Sequence, residues 1–130
     1  MKISYDFPTE ILDCLIIRNV LQPLIENYFE HGFNVQRVDN YLHLRGELVG
    51  ETAIRITVED NGYGISDEAL KRLQEHIASP ETHEGDSYGL KNLNQRISLY
   101  YGEGYGINVS RNNAGGMTVT MLVACSKLEG

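Results

Sequence analysis

The stretch Val58-Glu59-Asp60-Asn61-Gly62-Tyr63-Gly64-Ile65 decides how the rest of this chain is interpreted. Upstream of it, Ile54, Ile56 and Val58 alternate with polar residues, which predicts a strand with one buried face. The strand delivers Asp60 into a turn whose glycines let the backbone approach a ligand closely. A carboxylate held there can accept a hydrogen bond. Many strands end in Asp-Asn-Gly turns that bind nothing, so the stretch needs support from other segments.

Composition restricts the class of protein. The chain has 130 residues, enough for one domain with a hydrophobic core, and we interpret residues 1–130 as a single domain. Hydrophobic residues make up 42% and charged residues 22%, as in ordinary soluble globular proteins. A net charge of -7 argues against a surface for nucleic acid or for an anionic membrane. A phosphate site would therefore use backbone N–H groups, a helix N-terminus or a metal ion.

Cellular location is also constrained by what the sequence contains. Neither a signal peptide nor a transmembrane stretch is recognisable, so we expect the chain to be cytoplasmic. The two cysteines, Cys14 and Cys125, lie in apolar surroundings and lack metal-ligand spacing. This pattern predicts buried or idle thiols.

The hydrophobic pattern predicts the order strand, helix, two strands, helix, helix, two strands. Pro23 falls inside the first helix, which is expected to start near it or to kink there. Ser66 is the predicted N-cap of the second helix, and residues 79–88 form a polar loop. The predicted strands cover residues 2–6, 40–49, 54–59, 105–110 and 117–123. The first two helices cover residues 15–31 and 66–77, and the third is marked by Leu90, Leu93 and Ile97 and ends before Gly102. This order predicts an α/β two-layer sandwich, a mixed sheet with helices on one face.

Two further segments could carry chemistry. In the segment of residues 21–32, Asn27 and His31 are four apart and share one face of the predicted helix. The amide oxygen of Asn27 is a hard ligand that suits Mg²⁺. In residues 88–93 a polar loop enters a helix through Gly89, where free N–H groups would suit phosphate. Taken alone, a solvated helix face and an ordinary loop-to-helix junction explain the two segments better.

Together, in this order, the three segments resemble the boxes of the Bergerat-type ATP-binding fold. The stretches LQPLIENYFEHGF, VEDNGYGIS and GLKNLNQRISLYYGEGYGINVSRNNAGGMTV are similar to the C-terminal ATPase domains of LytS/YesM-like sensor histidine kinases. The resemblance covers residues 5–124. It implies a catalytic domain that binds ATP and Mg²⁺ for phosphotransfer to a histidine.

The resemblance assigns nucleotide-site roles to matching positions. Asn27 would bind the Mg²⁺ that bridges the ATP phosphates, and Asp60 would accept a hydrogen bond from the adenine amino group. The other positions would complete the pocket: His31 in the first box, Gly62 and Gly64 beside the base, Ile65 beneath it, Thr118 in the strand at the pocket floor, and Gly89 and Leu90 where a lid of residues 79–88 meets its helix.

One position separates the branches of this clan. The hydrolases and the anti-sigma serine kinases place a general-base glutamate one helical turn before the metal-binding asparagine. That position is Pro23 here, which cannot act as a base. This favours a histidine kinase, because a histidine acceptor is a better nucleophile near neutral pH and needs less activation by a general base. Glu26 is a candidate for a residue that orients the acceptor or acts as a general base. An ordinary acidic residue on the helix surface explains it equally well.

Three departures from the pattern keep an alternative open. Glu30 stands where lysine is common, Ser87 replaces the first glycine of the lid hinge, and Met117 stands where threonine is common. They favour a degenerate nucleotide-binding or interaction module without turnover. A standalone serine kinase of the anti-sigma type is the other alternative.

The resemblance also implies partners. The acceptor histidine of this branch lies in an upstream dimerisation segment, whose pattern is absent from these residues. The expected partners are therefore the upstream dimerisation and phosphoacceptor helices of the same full-length protein and, through them, a response regulator. The full-length protein would be a membrane-associated homodimer with this domain in the cytoplasm.

Overall fold

The computed structural model describes residues 2–9, 16–31, 36, 38–50, 53–62, 64–78, 89–102, 104–113 and 115–124. Within these ranges, the side chains at positions 16–20, 30, 31 and 89 are not described. The predictions for the loop of residues 79–88, for Ser87, for both cysteines and for the side chains of Glu30 and His31 therefore lie outside the description.

A single mixed sheet organises the described part of the chain. Its strands are β1 (Lys2–Asp6), β2 (Tyr41–Val49), β3 (Ala53–Asp60), β4 (Gly106–Arg111) and β5 (Met117–Ala124). They lie in the order β1-β2-β3-β5-β4. The β1–β2 pair is parallel and the other pairs are antiparallel. Because β3 is the middle strand, its last residue, Asp60, lies near the centre of the row of strand ends on one side of the sheet.

The helices are α1 (Ile16–His31), α2 (Asp67–Ala78) and α3 (Gly89–Tyr101). The predicted element order and the α/β two-layer architecture are confirmed. Pro23 lies inside α1, so the expectation that the helix starts near it is wrong. Leu24 and Tyr28 on the following turns are buried in the core, and this packing favours the helix despite the N–H that proline lacks.

The core lies between the sheet and the helices. Alternate residues of the central strands point into it, as the strand pleat requires. Each helix contributes residues at helical spacing. The buried apolar residues are Leu42, Leu44, Ile54, Ile56, Val58, Val109, Val119, Met121 and Val123 from the sheet, and Leu24, Tyr28, Ile77, Leu90, Leu93 and Ile97 from the helices.

Both ends of α2 are capped by side chains. At the N-terminus the Oγ of Ser66 accepts a hydrogen bond from the N–H of Ala69 at 3.2 Å, as predicted for an N-cap. At the C-terminus the Nζ of Lys91 donates to the carbonyl of His76 at 3.0 Å, although Lys91 is only 1% exposed. A cation at this end also matches the helix dipole. The bond from Lys91 joins α3 to the end of α2.

The outer side of β4 is also covered by side chains. The N–H of Ile107 donates to the Oδ1 of Asn94 at 2.7 Å, and the carbonyl of Val109 accepts from the Nε2 of Gln74 at 2.8 Å. Residues two apart on a strand present their backbone groups to the same side. Two backbone groups that face away from β5 are therefore bonded to α3 and α2.

Among the described residues, none of the three helices combines the length and the hydrophobicity of a membrane-spanning segment.

Candidate functional site

Asp60 is held in a fixed orientation at the end of β3. It is 8% exposed, and its Oδ1 accepts hydrogen bonds from the N–H of Gly62 at 2.8 Å and from the N–H of Met117 at 3.3 Å. Burial raises the pKa of this carboxyl above its ordinary value, and the two backbone hydrogen bonds partly oppose that rise. Both bonds fall on Oδ1, so the geometry leaves Oδ2 as the atom with which Asp60 can accept a donor from a ligand.

Asn61 fixes the strand end on the β2 side. Its Oδ1 accepts from the N–H of Tyr41 at 2.9 Å, and its Nδ2 donates to the carbonyl of Asp39 at 2.9 Å. The side chain therefore ties the end of β3 to the residues that start β2. Asn61 is itself buried, at 7% exposure, so its role is to support the strand end.

The β4–β5 turn closes over Asp60 from the other side. The Nδ2 of Asn112 donates to the carbonyl of Asp60 at 2.9 Å and to that of Met117 at 3.0 Å. A Cβ built on Gly116 would lie 2.2 Å from the carbonyl oxygen of Asp60 and 2.4 Å from its Oδ1. The turn backbone is thus in direct contact with the carboxylate, and only glycine fits there.

An open cleft lies beside this strand end. It has a volume of about 650 Å³, and its lining comes from the turn after β3 and from the β4–β5 turn: Gly64, Ile65, Ser66, Arg111, Asn112, Asn113, Gly115 and Gly116. Its volume falls within the usual range for small-molecule sites. Arg111 at its rim forms an ion pair with Asp67 of the first turn of α2.

Two of the glycines bring the two turns together. Gly64 has φ of 72°, and a Cβ there would lie 2.3 Å from the carbonyl oxygen of Gly115. A side chain at this position would meet both a strained backbone angle and a steric clash. The sequence pattern Asn-Gly-x-Gly therefore reports a real close approach between the turns.

The predicted site residues fall into two groups. Asp60, Gly62 and Thr118 lie together where β3 and β5 meet, and Gly64 and Ile65 line the adjoining cleft. Gly62 bonds Asp60, and the cleft lining does not include it. The Oγ1 of Thr118 accepts from the Nδ2 of Asn112 at 3.3 Å. The roles of these five positions toward a nucleotide stay predictions.

The second group lies on the helices. Asn27 is half-buried on α1, next to the core residue Tyr28. Glu26 is exposed, and its Oε1 accepts from the Nε2 of Gln22 at 3.0 Å. Gly89 is the first residue of α3, while the side chain of Leu90 is in the core at 3% exposure. Leu90 can therefore reach a ligand only through its backbone.

A metal ion would have few protein ligands here. Among the described residues, no group of three or more His, Cys, Asp or Glu side chains is arranged to hold a metal. Magnesium commonly binds through one or two protein oxygens together with substrate phosphates and water. The half-buried amide of Asn27 fits that mode.

Sequence reasoning missed Asn112 and the contact made by Gly116. Residues 112–116, Asn-Asn-Ala-Gly-Gly, indicate a turn by composition. Nothing local, however, indicates that this turn contacts Asp60, which is 52 positions away from Asn112. The long-range contact follows from the pairing of β3 with β5.

This chain matches the family described as "Histidine kinase-, DNA gyrase B-, and HSP90-like ATPase" over residues 13–126. The chain belongs to this family. It is 29% identical over 125 residues to the sensor histidine kinase YesM of Bacillus subtilis, covering 96% of this chain and 20% of YesM. It is 31% identical over 116 residues to the sensor histidine kinase/phosphatase LytS of Staphylococcus aureus, covering 88% of this chain and 19% of LytS. The ATPase domain thus spans about a fifth of these relatives.

Solved structures agree on the fold of this ATPase domain. It superposes on the catalytic domain of histidine kinase ThkA with a TM-score of 0.68 and 22% identity, over 95% of this chain and 80% of that one. The resemblance to LytS/YesM-like histidine kinase ATPase domains, seen in the sequence, is confirmed, as is the α/β Bergerat-type fold.

Proposed function

We propose that this ATPase domain holds Mg·ATP and presents the γ-phosphate to a histidine on the dimerisation helices of a two-component sensor kinase. The observation that carries the proposal is the fixed carboxylate of Asp60 beside a glycine-lined cleft. Family membership and the sensor-kinase relatives support it. They do not favour the degenerate module or the anti-sigma serine kinase.

Asp60 would select the base. Because Oδ1 is bonded to two backbone N–H groups, Oδ2 would accept a hydrogen bond from the exocyclic amino group of adenine. Because the backbone amides hold the carboxylate, little rotational freedom is lost on binding. Gly64 and Ile65 would line the space beside the base.

The phosphates would be held by backbone and metal, because the chain carries a net charge of -7. Asn27 would coordinate Mg²⁺, and the backbone around Gly89 would donate N–H groups at the start of α3. His31 and Thr118 would contribute at the rim and floor of the pocket. When bound, magnesium supplies neutralisation of the phosphate charge.

Phosphotransfer would depend on positioning, since a histidine acceptor is a competent nucleophile near neutral pH. Pro23 occupies the position at which the related hydrolases carry their base, and Glu26 remains a candidate for an orienting role. The partners would be the dimerisation and phosphoacceptor helices and, through them, a response regulator. We place the domain in the cytoplasm, as part of a membrane-associated homodimer.

Substitution of Asp60 tests this proposal. Asp60→Asn should weaken ATP and ADP binding by about 1–3 kcal/mol in titration calorimetry, the usual cost of losing a hydrogen-bond partner for a buried group. Glu59→Gln is a matched control, because the neighbouring carboxylate lies on the opposite face of β3. Equal ATP affinity in Asp60→Asn and wild type, with both folded by circular dichroism, would refute base recognition by Asp60.

Phosphotransfer is tested separately. The domain is incubated with radiolabelled ATP, alone and with the dimerisation helices of a YesM- or LytS-type kinase. Acid-labile label on the helices is the expected result. ATP binding without any transfer would support the degenerate module instead.

A further inference from the structure

The pairing of β3 ends one residue before Asp60 on its β5 side. The β3–β5 ladder runs from Ala53 with Ala124 to Glu59 with Thr118. On the other side, Asp60 still pairs with Leu42 of β2. The residue that carries the key carboxylate therefore lies one residue beyond the last β3–β5 pair, and strand pairing holds it on the β2 side alone.

Asn112 supplies the missing connection. Its Nδ2 donates to the carbonyl of Asp60 at 2.9 Å, to that of Met117 at 3.0 Å and to the Oγ1 of Thr118 at 3.3 Å. An amide group has two hydrogens, so the two shorter contacts, to the carbonyls, take the larger share. One side chain thus bridges the end of β3 and the start of β5.

The other atoms of Asn112 shape the turn that contacts Asp60. Its Oδ1 accepts from the N–H of Gly116 at 3.1 Å, and its backbone N–H donates to the carbonyl of Gly116 at 3.2 Å. These bonds set the position of Gly116, which abuts Asp60, and of Met117, whose N–H donates to the Oδ1 of Asp60. Loss of Asn112 would therefore loosen both the packing of Gly116 against Asp60 and the hydrogen bond from the N–H of Met117.

We propose that Asn112 is a positioning residue for base recognition: it holds the Asp60 carboxylate in the orientation that selects a purine with an exocyclic amino group. This inference rests on the proposed binding of ATP at Asp60. Asn112 itself would act through the strand end and the turn, without a required contact to the base.

The test compares two nucleotides in two variants. Wild-type protein, Asn112→Ala and the control Asn108→Ala are titrated with ATP and with the ATP analogue whose purine lacks the 6-amino group. Asn108 is an exposed asparagine of β4 outside the cleft lining. We expect Asn112→Ala to lose about tenfold in ATP affinity, as for one or two hydrogen bonds, and to lose most of the preference for ATP over the analogue. Asn108→Ala should match wild type on both counts.

A double-mutant cycle separates positioning from a general effect on the fold. If Asn112 acts through Asp60, Asn112→Ala should weaken ATP little further in an Asp60→Asn background. An additive loss, or a lower melting temperature with unchanged nucleotide preference, would overturn the proposal. If Asn112→Ala gives no cooperative melt, Asn112→Ser replaces it, since serine also supports such turns without adding charge.

The outcomes distinguish this inference from the function on which it rests. Failure of wild-type protein to bind ATP would refute the proposed function, and this inference with it. Wild-type binding that is weakened by Asp60→Asn but not by Asn112→Ala would refute the role of Asn112 alone.

Discussion

Gly116 offers the sharpest way to disturb the site without touching a ligand-binding side chain. A Cβ at this position would lie 2.2 Å from the carbonyl oxygen of Asp60 and 2.4 Å from its Oδ1. Favourable contacts between carbon and oxygen atoms begin at about 3.5 Å, so Gly116→Ala requires a displacement of about 1 Å. The φ of Gly116 is not positive, so the substitution acts through space and not through backbone strain.

The cost of that displacement has two parts. Forcing a methyl group into packed surroundings costs about 1–3 kcal/mol. The bond from the N–H of Met117 to the Oδ1 of Asp60 is already 3.3 Å long, and a further 1 Å would break it, which costs about 1.5–3 kcal/mol for a charged acceptor. The sum is a large share of the about 5–15 kcal/mol that stabilises a typical domain.

Thermal denaturation and calorimetry measure both consequences. Gly116→Ala should lower the melting temperature by about 10 °C or more and weaken ATP binding, because the carboxylate loses its orientation. Gly50→Ala is the control: Gly50 has φ of 68° and open space around it, so alanine there costs about 1–2 kcal/mol through strain alone and should leave ATP affinity unchanged. A Gly116→Ala protein with wild-type melting temperature and affinity would refute the reasoning.

Three further predictions follow from the same structure. Burial raises the pKa of Asp60 above its ordinary 3.8, so the stability contributed by the neutral carboxyl is lost as pH rises through the raised pKa. ATP affinity should fall as pH drops through the same pKa, because the protonated carboxyl accepts hydrogen bonds poorly. Unfolding and ATP-binding measurements against pH should show both effects in wild type and neither in Asp60→Asn. Asn27→Ala should reduce the magnesium-dependent part of ATP affinity in calorimetry more than the metal-free part, and full retention of the magnesium enhancement would exclude Asn27 as a ligand. Lys91→Met should lower the free energy of unfolding by about 1–3 kcal/mol in urea melts, because the carbonyl of His76 loses its buried donor, whereas the exposed Lys71→Met should be near neutral.

Much of the fold could be predicted because its signals are local. Alternation in residues 54–58 defined β3, and Ser66 marked the start of α2 through its own hydrogen bond. The prediction from Pro23 was wrong about the start of α1, which begins at Ile16, before the proline. Its penalty is local, whereas the burial of Leu24 and Tyr28 depends on the tertiary structure, which single-sequence propensity does not include.

The site could be predicted only in part, for a physical reason. Asp60 stands out from a strand that enters a glycine turn, a pattern contained within a few residues, whereas the pocket positions of Gly64 and Ile65 are implied only by the resemblance to the ATPase domains. Asn112 and Gly116 acquire their roles from the pairing of β5 with β3, which brings a distant turn against Asp60. Composition identifies such a turn but not the strand end that it contacts.

The side-chain bonds along β4 have a consequence for how this domain behaves when concentrated. An outermost strand with free amide and carbonyl groups can recruit an extended segment from another molecule and so start a fibre. In β4, Asn94 and Gln74 already satisfy the N–H of Ile107 and the carbonyl of Val109. An incoming segment would have to displace both side chains, so crystals and concentrated solutions of the domain should be free of sheets that continue from one molecule to the next through β4.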